Sequence, residues 1–284
     1  MEITIQLIKQ LRDKTGAGMA DCKNALNETQ GDIEKAIEVL RKKGAATASK
    51  RAEKSAKEGA VKVAKSDDKK IAAIVELNCE TDFVAKGDGF QSFTDKLAAL
   101  ALNHKVSNTD ELLNAKTEEG ITVKEAIDSM MASVGEKVEL RRVKFIEMKN
   151  GFVSSYVHFG SKLAGLVAVQ GTYSDEAYDL GNKIAMQLVA MNPLSIDRDG
   201  IPKDIIEKER EIYIAAAKNE GKPDNIAEKI VENRLGKFYN ENCLLEQEYI
   251  NESGKSVGTL IKEFEKKSGG EFKVVEIVRY QLGL

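Results

Sequence analysis

The distribution of hydrophobic residues predicts three short helices within residues 1–44. Apolar residues recur at the spacing of a helix face, most completely in the third segment, where the pattern is i, i+3, i+4, i+7. Thr4 and Asp32 are candidate N-caps, and Gly44 is predicted to end the third helix. The predicted face residues are Ile5, Ile8, Leu11 or Arg12, Met19, Cys22, Ala25, Leu26, Ile33, Ala36, Ile37 and Leu40. We therefore assign residues 1–50 to an N-terminal three-helix domain.

A TGAG turn at residues 15–18 separates the first two helical segments and leads directly into Met19. A three-helix unit with this turn resembles a ubiquitin-associated-type domain, in which the glycine-bearing turn commonly presents a methionine to a partner. Met19 therefore has two interpretations, as a plug in the small core or as a surface contact.

The segment RKKGAATASKRAEKSAK, residues 41–57, carries seven basic side chains and one acidic one, Glu53. Its alanine, serine and threonine content is typical of a solvated, mobile linker, which is the reading we favour. Contact with RNA is the alternative.

An internal repeat occupies the centre of the chain. KIAAIVEL at residues 70–77 matches KLAGLVAV at residues 162–169, an offset of 162 − 70 = 92. GAV at residues 59–61 matches GFV at residues 151–153 with the same offset. Each copy has the pattern of two strands and a turn followed by a helix. The repeat therefore predicts an α+β fold with two similar subdomains and antiparallel strands.

Further elements complete these two subdomains. The helix of each copy carries an apolar stripe, and between the copies the pattern predicts a helix at 122–134 and a strand at 138–148. A strand at 272–280 is predicted to return to the second subdomain. The stripes are Phe90, Phe93, Leu97 and Leu100 in the first copy, and Ala177, Leu180, Ile184 and Leu188 in the second. The assigned subdomains are 56–140 for the first, and 141–200 with 241–284 for the second.

The two copies differ in length between the second strand and the helix. From the end of the strand motif to the lysine of KLA or KIA, the first copy spans 96 − 77 = 19 residues and the second 183 − 169 = 14. The extra five residues fall within NCETDFVAKGDGF, residues 78–90. Because the second copy closes without them, the added length favours a functional segment. Phe83 is then a partner-facing residue, although a core position at the start of a helix remains the other interpretation.

Residues 201–240 are predicted to form a protruding antiparallel helical hairpin, or coiled coil. Two charged helical patterns, 204–218 and 223–240, are joined by the turn NEGKP. The residues predicted to face each other are Ile205, Ile212 and Ala216 from the first helix, and Ile226, Ile230 and Phe238 from the second. With so little apolar surface, this hairpin has almost no core of its own.

Charge and hydropathy narrow the class of protein. The formal net charge of −3 argues against a general nucleic-acid binder, because neutralising phosphates requires a basic excess. No apolar run approaches the ~20 residues that span a membrane. The start of the chain has neither the apolar core of a signal peptide nor the bias of a transit peptide. We expect a cytoplasmic protein.

The three cysteines, Cys22, Cys79 and Cys243, are odd in number and have no CxxC spacing. This pattern predicts free thiols in a reducing compartment rather than disulfides or a zinc site. A catalytic thiol at Cys79 is the alternative to a buried structural one, but no His or Lys lies near it in sequence to lower its pKa.

No combination of residues predicts catalysis. GAGMAD does not follow a strand, and no GxxxxGK[ST] phosphate loop is present. His104 is predicted in a polar loop and His158 in the turn SYVHFGSK, where it either forms a local hydrogen bond or binds a partner. The acids Glu209 and Glu211 fall on the charged hairpin, where a solvated face is the simpler reading. We predict a binding protein that is not an enzyme and that requires no metal, cofactor or bound nucleotide of its own.

Long motifs in the chain resemble the bacterial elongation factor Ts family. The clearest are LRDKTGAGMADCKNAL, NCETDFVAKGDGF, YVHFGSKLAGLV, KIAMQLVAMNP and EGKPDNIAEKIVENRLGKFY, which occur in the family's order along nearly the whole chain. The resemblance implies a guanine-nucleotide exchange factor for the GTPase elongation factor Tu. It also implies a small N-terminal domain, a two-part core and a helical hairpin.

The resemblance assigns the contact residues as well. The TDFV segment, Thr81, Asp82, Phe83 and Val84, corresponds to the family's exchange wedge, whose Asp-Phe pair is pushed between helices of the GTPase and disturbs its Mg²⁺ and phosphate site. Positions matching Arg12 and Met19 hold the nucleotide domain in that family. The position matching His158 contacts another domain of the partner.

Two departures from the family pattern stand out. Ala20 replaces a second methionine that some relatives carry, and the sequence stops at VRYQLGL where some continue into another helix.

Two other classes of function compete with exchange. One is a passive interaction protein that binds a peptide or ubiquitin-like partner, which has no need of the ETDFVAKG segment. The other is an enzyme that uses Cys79, whose function would be lost on alkylation of its thiols.

Overall fold

The structure is a computed structural model that describes residues 3–220 and 223–284. The helices of these residues are α1 Ile5–Thr15, α2 Met19–Glu28, α3 Ile33–Arg51, α4 Asp82–Lys86, α5 Asp88–His104, α6 Thr109–Asn114, α7 Val123–Val134, α8 Asp175–Met191, α9 Lys203–Asn219, α10 Asp224–Asn242 and α11 Val257–Ser268. The strands are β1 Glu58–Lys65, β2 Ile71–Cys79, β3 Val138–Glu147, β4 Gly151–Val157, β5 Leu163–Gly171 and β6 Phe272–Gln281. The predicted α+β fold is confirmed.

The three N-terminal helices form where the pattern predicted them. The side chain of Thr4 accepts a hydrogen bond from the backbone N–H of Leu7, and that of Asp32 accepts one from Lys35. Both predicted N-caps are therefore confirmed. The core of this unit consists of Ile8, Leu11, Ala17, Cys22, Ala25, Leu26, Ala36 and Leu40.

The prediction that α3 ends at Gly44 is wrong, because the helix continues to Arg51. Gly44 is buried against α7, and a Cβ atom at this position would lie 3.1 Å from the carbonyl oxygen of Asp128. The glycine therefore permits a close approach of two helices instead of ending one. Through this contact, the N-terminal unit packs on the first subdomain.

The basic segment is consequently not the solvated linker that the sequence favoured, at least as far as Arg51. Arg41 lies 3.4 Å from Glu125 of α7 and Arg51 lies 2.7 Å from Glu80, while Lys43 is paired with Asp21. Three of its cations are thus engaged within the protein, which leaves fewer of them for a phosphate backbone.

The core contains two three-stranded antiparallel sheets, in the orders β1-β2-β3 and β4-β5-β6. Each copy of the repeat provides two neighbouring strands, as predicted, and β3 or β6 adds the third. Even an irregularity is repeated, because the register shifts between Glu76 and Leu77 in β2 and between Ala168 and Val169 in β5. These positions are related by the same offset of 168 − 76 = 92.

The two sheets pack face to face, with helices on their outer faces. Val61, Ile74 and Leu166 belong to the apolar cluster between the sheets. A second cluster joins the first sheet to α5, α6 and α7, and a third joins the second sheet to α8 and α11. Because β2 and β5 are buried on both faces, they have nearly continuous apolar sequences instead of a strict alternation.

The segment after the second strand accounts for the unequal lengths of the two copies. The main helices α5 and α8 have 17 residues each. The helix α4 lies between β2 and α5. Its five residues equal the five extra residues counted in the first copy from the sequence. His104 lies in the last turn of α5, so its placement in a loop was wrong.

The hairpin of α9 and α10 is present, and four of the six residues predicted to face each other are partly buried, namely Ile205, Ala216, Ile230 and Phe238. Ile212 and Ile226 are exposed, whereas the buried residues are Ala217, Ala227, Val231 and Leu235. The spacing of four along α10 turns the buried face away from Ile226, and the two alanines allow the helix backbones to approach closely. The short helices α6 and α11 had no counterpart in the sequence prediction. None of the helices in the described part of the chain has the length and apolar character needed to cross a membrane.

Candidate partner-binding site

The short helix α4 is held at its first turn by hydrogen bonds. The Thr81 side chain caps the helix by accepting from the N–H of Val84, 3.5 Å away. Thr81 also donates to both carboxylate oxygens of Glu136, from its N–H at 3.0 Å and from its hydroxyl at 2.7 Å. These contacts fix the direction in which α4 leaves the sheet.

The side chains of α4 divide between the core and the solvent. Ala85 is buried, and Val84 packs partly against the cluster of the first subdomain. Phe83 is 85% exposed, so the interpretation of Phe83 as a core residue is wrong. A large aromatic side chain is therefore presented to the outside by a helix whose other apolar residues anchor it.

Asp82 lies beside Phe83 and keeps a negative charge. Its carboxylate accepts a hydrogen bond from Lys86 at 2.6 Å. This bond and the charge of Lys86 lower the pKa of Asp82, and the charge of Lys162 contributes in the same direction. Because Thr81 is the N-cap, the Asp82 carboxylate is not needed for that role.

The base of α4 also contacts the N-terminal unit. A Glu80 carboxylate oxygen accepts from the backbone N–H of Lys137 at 2.6 Å and from the Arg51 guanidinium at 2.7 Å. Both hydrogen bonds lower the pKa of Glu80, and the one from the Lys137 N–H has the larger effect. The end of α3 thus reaches the residue that precedes the cap of α4.

Cys79 is buried directly below this segment. Burial, reinforced by the nearby Glu136 carboxylate, raises its pKa to about 12. A thiol with this pKa is almost entirely protonated near neutral pH and is a poor nucleophile. All three cysteines are free and buried, which confirms the free thiols predicted for all of them and the burial predicted for Cys79.

The N-terminal candidates lie on separate helices. Arg12 is exposed in the last turn of α1, and Met19 is 40% exposed at the start of α2. Met19 is therefore available at the surface and is not a plug in the core. Between them, Gly16 adopts a left-handed conformation with φ of 67°, which ends α1.

His158 is exposed in the turn between β4 and β5. Its backbone N–H donates to the carbonyl of Leu163 at 2.8 Å, and its Nδ1 lies 3.1 Å from the hydroxyl of Tyr156. The next residue, Phe159, is 98% exposed. Phe159 was not among the predicted contact residues, although an aromatic residue followed by a glycine in a turn is a signal that was available.

The His158 turn and α4 lie at the same end of the molecule. The N–H of Val61 in β1 donates to the carbonyl of Ser161 at 2.7 Å. Lys162 forms an ion pair with Glu58 at 2.7 Å and is close enough to Asp82 to lower the pKa of that carboxyl. The structure thus brings two of the three predicted contact regions together.

Within residues 3–220 and 223–284, no group of three or more His, Cys, Asp or Glu residues is arranged to hold a metal ion. Together, these observations define an α+β protein with two packed three-stranded sheets, in which the candidate residues Arg12, Met19, Phe83 and His158 are exposed.

Comparison with known proteins gives the family. The sequence profile of the family described as Elongation factor TS matches residues 80–284. The chain is 45% identical to elongation factor Ts of Chlorobium phaeobacteroides (strain BS1) and to that of Chlorobaculum tepidum, in each case over 99% of both chains. It is also 45% identical to elongation factor Ts of Clostridium botulinum (strain Alaska E43 / Type E3), over 99% of this chain and 93% of that protein. The chain therefore belongs to the elongation factor Ts family of translation elongation factors.

Proposed function

We propose that this chain is a guanine-nucleotide exchange factor that binds elongation factor Tu in its GDP-bound form and promotes the release of GDP. The observation that carries this proposal is the 85% exposure of Phe83 on a helix that is anchored to the core. An exposed phenylalanine on an anchored helix gains free energy only when a partner covers it, since its apolar surface otherwise faces water.

In the proposed mechanism, Asp82 and Phe83 enter between helices of the nucleotide domain of the partner. Thr81 and Val84 support them, because Thr81 caps α4 and Val84 packs on the first subdomain. Nucleotides are held largely through a bound Mg²⁺ ion and backbone N–H groups around the phosphates. A small shift of that loop weakens these contacts, and GDP dissociates.

This mechanism requires no reacting side chain in the exchange factor. The factor has only to bind the nucleotide-free GTPase more tightly than the GDP-bound form, because the two binding equilibria are linked. The high pKa of Cys79 fits this picture, since its protonated thiol is a poor nucleophile. Exchange then results from differential binding, with no covalent step and no cofactor.

The other contact residues serve to hold the partner. We assign Arg12 and Met19 to contact with the nucleotide domain, and His158 to contact with a second domain of the partner. In this arrangement residues 1–50 act as a docking domain, while the hairpin of residues 201–240 takes no part in the exchange step.

The test is displacement of a fluorescent GDP analogue from elongation factor Tu by the full chain, by Phe83→Ala and by Ile212→Ala. Ile212 is 57% exposed on α9, so its substitution controls for the loss of any exposed apolar side chain. We expect Phe83→Ala to slow release by about 30-fold or more, which corresponds to a contact worth about 2 kcal/mol. The Ile212→Ala variant is expected to match the parent.

Three results would contradict the proposal: no acceleration by the parent chain, equal rates for Phe83→Ala and the parent, or equal losses in both variants. A parent chain that binds elongation factor Tu without accelerating GDP release would instead favour the passive interaction protein. Thermal melts of each variant alone show whether a slow rate comes from loss of fold.

A further inference from the structure

One acidic side chain is buried between the two sheets. Glu76 in β2 has no exposed surface and is the only acidic or basic residue buried in the described part of the chain. At the equivalent position of the second copy stands Ala168, which lies in the apolar cluster between the sheets. The repeated fold therefore closes with a small apolar residue at this position, and the acid is a feature of the first copy alone.

Both carboxylate oxygens of Glu76 are hydrogen-bonded. Arg142 of β3 donates from Nε to Oε2 at 2.6 Å, and the backbone N–H of Gly283 donates to Oε1 at 3.0 Å. Arg142 also donates from Nη2 to the carbonyl of Gln281 at 2.8 Å, and its guanidinium lies 4.1 Å from the centre of the Tyr280 ring. An ion pair in the first sheet thus binds the end of β6, which belongs to the second sheet, through hydrogen bonds and a cation–π contact.

The end of β6 and the residues that follow it are in turn hydrogen-bonded to the His158 turn. The N–H of Leu282 donates to the carbonyl of Lys162 at 2.9 Å. On the other side of the turn, Ser161 accepts from Val61, the residue that stands opposite Glu76 in the β1–β2 register. A continuous set of hydrogen bonds therefore runs from Glu76 to the turn that presents His158.

Glu76 is also rigidly connected to α4. Glu76 precedes Cys79 by three residues in the same strand, β2. Thr81, the N-cap of α4, follows the end of that strand. A change in the position of the second sheet relative to β2 would therefore change the spacing between α4 and the His158 turn.

We propose that Glu76 and Arg142 are positioning residues that fix the spacing between α4 and the His158 turn, so that Phe83 and His158 engage one partner molecule together. This inference rests on the proposed exchange function for the identity of the partner. The hydrophobic effect that holds the apolar faces of the two sheets together is non-directional. The hydrogen bonds of Arg142 to Glu76 and to the Gln281 carbonyl are directional and favour one relative position of the two sheets. In coiled coils, a single buried polar residue fixes the register in this way.

Spin labels measure the spacing without any partner. The labels are placed on Asp88→Cys, just beyond α4, and on Phe159→Cys in the turn; both positions are exposed, whereas the three native cysteines are buried. The labelled parent is expected to give one narrow distance distribution. Introducing Glu76→Ala, which installs the residue of the second copy, is expected to broaden or shift that distribution. An unchanged distribution would overturn the proposal.

Exchange kinetics provide the second measurement. In Glu76→Ala, the concentration of factor for half-maximal GDP release is expected to rise about fivefold or more, the lower end of typical coupling between sites. The maximal rate is expected to stay within about twofold, because Phe83 is intact. Glu76→Gln, which keeps the size and one acceptor oxygen, is expected to restore part of the affinity. A role in folding alone would also raise the apparent half-maximal concentration, in inverse proportion to the folded fraction, so each concentration is corrected for the folded fraction measured in a thermal melt. A rise that disappears after this correction would contradict the positioning role.

The outcomes separate the two proposals. If the parent chain does not accelerate release, the exchange function fails, and the spin-label distances still judge the positioning role. If the parent is active and Glu76→Ala has the same half-maximal concentration, the positioning role fails. Should Glu76→Ala not fold, Arg142→Lys replaces it, because it keeps the charge but loses the planar guanidinium that bonds both Glu76 and Gln281.

Discussion

Replacing Gly44 with alanine tests whether α3 packs against α7 in solution. A glycine inside a helix is expected to cost about 1 kcal/mol relative to alanine, so the substitution alone favours the helix. In the structure, however, the new Cβ would lie 3.1 Å from the carbonyl oxygen of Asp128 and 3.2 Å from its carbon. Backbone atoms cannot rotate away, and overpacking of this kind costs about 1–3 kcal/mol. The expected net effect of Gly44→Ala ranges from about zero to a loss of about 2 kcal/mol.

Gly236 provides the matched control. It also lies inside a helix, α10, but a Cβ atom there would meet no heavy atom within 4 Å. Gly236→Ala is therefore expected to gain the full ~1 kcal/mol of helix propensity. The two variants are compared by urea denaturation, with hydrogen–deuterium exchange to localise the change to α3 or α10. If Gly44→Ala stabilises its helix as much as Gly236→Ala, the close packing of α3 on α7 is refuted.

Three other outcomes are expected. Deleting residues 1–51 leaves a folded core with much weaker exchange, because the docking residues are removed; full activity in the truncated chain would argue against a docking role. Replacing residues 203–239 with a short Gly/Ser link leaves the rest folded and GDP release largely intact, and a collapse of the melting temperature would contradict this. Cys79, with its pKa raised to about 12, resists iodoacetamide at pH 8 in the native protein and reacts only on unfolding, as mass spectrometry of the alkylated protein can show.

The repeat made most of the core predictable from the sequence. Strands buried on both faces have little freedom in their side chains, so KIAAIVEL and KLAGLVAV preserve the same pattern and even the same register shift. The comparison of copy lengths also located α4. It favoured an exposed Phe83, although a phenylalanine in the first turn of a helix is equally compatible with a core position.

Other features depended on contacts between distant residues. Gly44 was predicted to end the helix because glycine disfavours helices locally. In the structure, the absence of a side chain at Gly44 instead makes room for the backbone of Asp128 in α7. Within the hairpin, Ile212 and Ile226 were wrongly placed at the seam between the helices, because apolar character alone does not decide which residues are buried there. There, alanines set the distance between the helices.

Within the candidate site, the sequence missed the residues that act through others. Glu136 lies 136 − 81 = 55 residues from Thr81, whose N–H donates a hydrogen bond to it. Glu76 lies 283 − 76 = 207 residues from Gly283, whose N–H donates a hydrogen bond to it. No local pattern reports such pairs. Glu76 was read only as one position of the strand IAAIVEL, where a single acid among apolar residues was the available sign of a buried ion pair.

The division of α4 between inward and outward side chains has an evolutionary consequence. Most substitutions in a protein are limited by a stability threshold, below which the chain no longer folds. Phe83 touches little of its own protein, so mutations there escape that limit and are selected only through the partner. Ala85, two residues away and buried, is under the opposite constraint. Within one helical turn, the strength of a protein–protein contact can therefore evolve without passing through intermediates that fail to fold.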